Sequence, residues 1–101
     1  MKDFIKEFKK DIIFYGTDHY SACEKETNVD NIYRQETLIC EHGKVLYDCM
    51  ETRDDTTYRA TGIVSNDVEH FLKLPISEIE RICNKIYYYN LLEVEEWDIH
   101  K

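Results

Sequence analysis

The apolar positions near the start of the chain step by three and four. Phe4, Ile5, Phe8, Ile12 and Tyr15 make one stripe, and Lys6, Lys9 and Lys10 lie off it. That period predicts an amphipathic helix over 3–15. Asp3 is suited to cap its start, and Gly16 to end it as a left-handed residue. Residues 16–31 are polar and irregular, and read as a loop with room for a short strand around Tyr20–Glu24. The pattern then changes to alternation. Residues 32–41 and 44–51 read as two strands, joined by His42-Gly43 as a tight hairpin turn. That turn fixes a register. Glu41 faces Lys44, Cys40 faces Val45, Leu38 faces Tyr47, and Arg34 faces Glu51, so two of the pairs are opposite charges. "TRDDT" (52–56) reads as a second turn, and 57–64 as a third strand with Gly62 a candidate bulge.

Helical spacing returns after residue 65. Asn66 with Glu69, and Ser77 with Glu80, have the spacing of capping boxes. Val68, Phe71 and Leu72 give a short apolar face. Pro75 ends that helix or starts the next. Ile79, Ile82, Cys83, Ile86 and Tyr87 stripe a longer helix reaching about Asn90. The tail "LLEVEEWDIHK" alternates apolar and acidic residues in its first half, as an edge strand or an irregular arm. The expected fold is α+β over one domain, 1–101. It has an N-terminal helix, a three-stranded antiparallel meander, two C-terminal helices and a short acidic tail.

Composition narrows what such a domain does. The 101 residues are 43% hydrophobic, which is enough for a core. Acidic residues number 21 against 13 basic, for a net charge of −8. A net anion is repelled by a polyanion, so direct binding of nucleic acid is disfavoured and a basic partner favoured. "MKDFIKEFKK" has no apolar run of a signal peptide, and no segment is long and apolar enough to span a membrane. The expected compartment is the cytoplasm, where Cys23, Cys40, Cys49 and Cys83 would be reduced.

Catalytic and metal chemistry find little purchase. No C-x-x-C pair, H-E-x-x-H or glycine-rich phosphate loop is present, and no cofactor is expected. Cys40 and His42 share a strand face, but Cys49 would stand opposite Glu36, four residues from Cys40. That is about 13 Å at about 3.3 Å per residue, too far for one zinc ion. Cys83 falls on the apolar helix stripe, where burial would raise its pKa. The cysteines therefore read as small buried hydrophobes.

Binding is better supported. Acids recur in surface-type settings: Glu24 and Glu26, Asp48 and Glu51, Asp54 and Asp55, Asp67 and Glu69, Glu78 and Glu80. The densest run is Glu93, Glu95, Glu96 and Asp98. On an extended tail Glu93 and Glu95 would stand about 6.6 Å apart on one face, of the order of the spacing of successive phosphates. Tyr87, Tyr88 and Tyr89 are consecutive on a helix and fan over about 200°, so they cannot all face one core. At least one should be exposed, as interface tyrosines are. The lead helix "DFIKEFKKDIIFYG", the meander 32–64 and the tail "LEVEEWD" together resemble the small acidic inhibitors that phages and mobile elements deploy against host defences, anti-CRISPR proteins among them. The likeness is one of size, element order and charge. Arg53, Arg59 and Arg81 depart from it by diluting the negative field. In that class an acidic surface occupies the nucleic-acid-binding site of an effector.

The expected function is thus a non-enzymatic binding protein and inhibitor, acting in the cytoplasm of a host cell if phage-encoded. Its partner would be a protein with a basic, nucleic-acid-handling surface. Asp54, Asp55, Glu93, Glu95, Glu96 and Asp98 would supply charge, and Tyr88 and Trp97 aromatic anchors. Two alternatives are a small zinc-binding module and a homodimeric structural or regulatory protein.

Overall fold

The computed structural model describes residues 2–93, with Glu93 through its backbone alone. Its elements run α1 (Lys2–Tyr15), β1 (Ser21–Val29), β2 (Ile32–Glu41), β3 (Lys44–Arg53), β4 (Thr56–Ser65), α2 (Val68–Lys73), α3 (Ile76–Asn90) and β5 (Leu92–Glu93). The strands form one antiparallel sheet in the order β1-β2-β3-β4-β5. β5 contributes only the pairs Tyr58–Glu93 and Arg59–Leu92.

The helices cover one face of the sheet. Phe4, Ile5, Phe8 and Ile12 of α1 are buried, as their spacing predicts, whereas Tyr15 at the helix end is exposed. Gly16 has φ +101°, and its N–H donates to the Ile12 carbonyl at 2.8 Å, which closes the helix. Leu38, Cys40, Val45, Tyr47, Cys49, Ala60 and Val64 meet these side chains from the sheet, with Phe71, Ile79, Cys83 and Ile86 from the later helices. Phe8 stands edge-on to Phe71 at 5.6 Å. Lys9 reaches across to donate to the Leu74 carbonyl at 2.6 Å, so the end of α2 is satisfied by a helix far away in sequence.

Four of the sequence expectations need correction. The meander has four long strands rather than three, because residues 21–29 are a full strand where a loop was expected. The inward residues of β1 are Ser21, Cys23, Lys25 and Thr27, so alternation there is not an apolar–polar alternation. Two side chains of β2 that face the same way, Glu36 and Arg34, are charged, and Lys25 and Thr27 pair with them. The second turn is only Asp54-Asp55, with Arg53 and Thr56 already in strands. Capping is shifted too. Asp67, not Asn66, caps α2 by accepting from the Glu69 N–H at 3.0 Å, and α3 starts from Pro75 with no side-chain cap. Gly62 is not the bulge. The irregularity falls where Leu46 faces Ile63 and Val45 faces Ser65, which leaves Val64 as the extra residue. Gly62 instead lets α3 approach, since a Cβ there would stand 2.8 Å from Ile86 Cγ1.

The β2–β3 register is as predicted, with Glu41–Lys44, Cys40–Val45, Leu38–Tyr47 and Arg34–Glu51 all paired. Among the described residues no helix is long and apolar enough to cross a membrane.

Candidate partner-binding end of the sheet

Each long hairpin turns through two residues, both with positive φ: Asp30-Asn31 (52° and 65°), His42-Gly43 (52° and 75°) and Asp54-Asp55 (47° and 68°). That is the conformation of the two-residue turn whose twist matches paired strands, and Asp, Asn and Gly tolerate it best. In a meander, alternate turns share an end. The β1–β2 and β3–β4 turns therefore bring Asp30, Asp54 and Asp55 to the same end of the sheet, two strand spacings or about 10 Å apart. All three are exposed. Among the described residues none of them enters an ion pair.

The arginines at this end are otherwise engaged. Glu51 lies beneath the turns at 1% exposure. Arg34 holds its Oε1 through Nη2 at 2.9 Å and Nε at 3.0 Å, and the Tyr87 hydroxyl donates to the same oxygen at 2.7 Å. Arg53 Nε lies 2.6 Å from Oε2, close enough to pair but not aligned for a hydrogen bond. Arg34 lies over the Tyr87 ring at 4.4 Å and Arg53 over the Tyr58 ring at 4.9 Å. Burial pushes the Glu51 carboxyl up. The hydrogen bonds from Tyr87 and Arg34, with the charges of Arg34 and Arg53, outweigh that and hold it below its ordinary value. Glu51 is thus a structural anion, not the surface acid its strand position suggested.

The other basic residues expected to dilute the field are likewise committed. Arg59 pairs with Asp48 at 3.0 Å, and Arg81 with Glu78. They neutralise those acids and leave the turn aspartates alone. Tyr88 is 74% exposed, next to Tyr87, whose ring meets it edge-on at 5.0 Å. Tyr87 binds Glu51, so α3 delivers Tyr88 to the arginine-rich end of the sheet. The Glu93 backbone pairs with Tyr58, three residues from Asp55. Glu95, Glu96, Trp97 and Asp98 lie outside the described residues. Asp30 is the member sequence reasoning missed. The signal was present as Asp30-Asn31 between two polar segments, but it reads as a turn only once β1 is recognised as a strand.

No family model, curated protein or solved structure matches this chain. The end of the sheet must therefore be read from its own chemistry.

That chemistry is electrostatic rather than nucleophilic. Burial raises the thiols of Cys23 and Cys83 to about 12 and of Cys49 to about 11, and the Cys40 thiol is also raised by burial. A carboxylate of Asp11, 3.2 Å from Cys23, adds to its shift. Thiols so protonated are poor nucleophiles. The described residues bring together no group of three His, Cys, Asp or Glu side chains suited to a metal ion. An open cleft of about 640 Å³ lies between the start of α1 and β1, lined by Phe4, Cys23 and charges of both signs, including Asp3, Glu7 and Lys25. It shares no residue with the acidic end.

Proposed function

We propose that this protein is a non-enzymatic binding protein whose acidic end occupies a basic, nucleic-acid-handling surface of another protein and thereby inhibits it. Asp30, Asp54 and Asp55 present the charge, Tyr88 an aromatic contact, and Glu93, Glu95, Glu96 and Asp98 of the tail supply further negative charge. A nucleic-acid effector of a host defence system fits this partner chemistry. The observation that carries the reading is the division of labour at one end of the sheet. The arginines there are turned onto Glu51, and the neighbouring turn aspartates stay exposed and, among the described residues, unpaired. Fixed carboxylates on tight turns lose little freedom on binding, which favours association with a basic groove.

Capture from a host lysate on the immobilised chain tests this. Proteins retained should be released by salt and by competing nucleic acid. A variant with Asp30, Asp54 and Asp55 all changed to Asn should retain less of them, with a flatter salt dependence. So should one with Glu93, Glu95, Glu96 and Asp98 changed to Gln or Ser. Capture unchanged by both variants would refute the reading.

A further inference from the structure

The sheet has a second face that none of the described helices covers. Its outward residues fall into rows across the strands. Ala22, Ile39, Leu46 and Ile63 are successive partners and make an unbroken apolar row over four strands. Ile63 is 51% exposed, and Met50 and Leu92 are exposed on the same face. Glu41 and Lys44 lie on one side of that row. On the other lie the row Glu24, Thr37, Asp48 and Thr61, then Glu26, Gln35, Met50 and Arg59.

We propose that this face is covered by the same face of a second copy of the chain, related by a two-fold axis that runs along the strands between β2 and β3. The rows select that axis. A two-fold across the strands would set the apolar row against the polar row of Asn28, Tyr33, Thr52 and Thr57. The axis along the strands maps every row onto itself, with β1 over β4 and β2 over β3 of the other copy. Ile39 then meets Leu46, and Ala22 meets Ile63. Glu41 faces Lys44 and Glu26 faces Arg59, each twice. Glu24 faces Thr61 and Asp48 faces Thr37, so no like charges are opposed. Face-to-face packing of twisted sheets places them about 10 Å apart, a distance these side chains span.

The size suits a reversible dimer. The four opposed strands at about 4.8 Å spacing and ten residues at about 3.3 Å give a footprint of about 19 by 33 Å, or about 600 Å². That is near the lower limit of specific interfaces, at about 600 Å² per partner, and below the usual value of about 800 Å². The face shares none of its central residues with the acidic end, so the dimer would display two such ends.

Sedimentation equilibrium on the purified chain, without any partner, tests the proposal. The mass should rise with concentration from 12.2 kDa towards twice that value. Ile63→Lys should raise the dissociation constant by at least about tenfold, because two lysines enter the apolar row. The side chain is half in water already, so the variant should keep its circular dichroism and melting temperature. Glu26→Lys, further from the axis and facing Arg59, should weaken the dimer by a few fold. A single mass at every concentration would overturn the proposal and leave the face to a different occupant. So would a dimer indifferent to Ile63→Lys, or one lost in a Tyr88→Ala, Tyr89→Ala variant, which would place the contact on α3. A dimer broken by Ile63→Lys but untouched by Glu26→Lys would overturn the two-fold placement.

Discussion

Glu51 and Asp54 lie three residues apart at one end of the same sheet, and their carboxylates have opposite fates. Glu51 points under the helices, where two arginines and a tyrosine hydroxyl surround it. Asp54 stands on a turn in water, and no described side chain pairs with it. Strand parity makes the difference. Arg34 and Glu51 are cross-strand partners on the covered face, so the chain's positive charge at this end is drawn inward. The turn acids are left outward by the same geometry. One carboxylate holds the fold, and the others are free to face a partner.

The comparison breaks most sharply at Glu51. Glu51→Ala removes an anion from between two arginines and leaves the Tyr87 hydroxyl without its acceptor. Loss of one member of a buried pair costs about 3–5 kcal/mol. Arg34 and Arg53 are partly exposed and can rehydrate, so a loss of about 2–3 kcal/mol is expected, read as a lower urea midpoint at unchanged slope. Tyr88 should also lose its fixed position, because Tyr87 no longer anchors the end of α3.

Gly62→Ala tests how α3 is seated on the sheet. The new methyl would stand 2.8 Å from Ile86 Cγ1, and Ile86 is a buried core residue rather than a flexible surface chain. The helix must shift or Ile86 must leave its rotamer, at about 1–3 kcal/mol. The stability loss should be relieved in part by Ile86→Val in the same chain.

Acid should act through Glu51 as well. Its folded pKa is below the ordinary 4.5, so the unfolded chain takes up its proton first. The stabilisation it supplies is fully present above about pH 4.5 and is lost as pH falls through the lower folded value. Unfolding free energy should therefore drop on acidification in the native chain. In Glu51→Gln the drop should be shallower, and the difference between the two curves isolates this group from Glu78, whose pKa is also lowered, first by its hydrogen bond from Arg81.

How far the sequence carries depended on where apolar contrast was present. The β2–β3 hairpin was legible because Leu38, Cys40, Val45 and Tyr47 alternate cleanly and their flanking charges are complementary. β1 was not, because its covered side carries Ser21, Lys25 and Thr27, whose cross-strand neighbours Cys40, Glu36 and Arg34 only the fold supplies. With β1 unread, Asp30 could not be seen as a companion of Asp54 and Asp55. The exposure of Tyr88 followed from three tyrosines on one helix. The burial of Glu51 did not follow from any local pattern. It needs Tyr87, 36 residues away, to reach it.

The smallest effect on stability separates fold from charge most cleanly. Asp54 and Asp55 hold φ values of 47° and 68°, in the left-handed region where a side chain is disfavoured and Asp is only tolerated. Asn followed by Gly is the pair best suited to this turn. Asp54→Asn with Asp55→Gly should therefore keep the hairpin and leave stability unchanged or higher by about 0.5 kcal/mol, since the flexibility gained by the unfolded chain offsets part of the relief. Among the described residues, two of the three exposed turn carboxylates at this end disappear in the same step. If the turn's role is to present charge, capture of a basic partner should fall while the melting temperature holds or rises. A loss of binding in a chain no less stable than the native one cannot come from unfolding. Capture that survives the change would shift the contact away from this turn, to Asp30 and the tail, without disturbing anything inferred for Glu51.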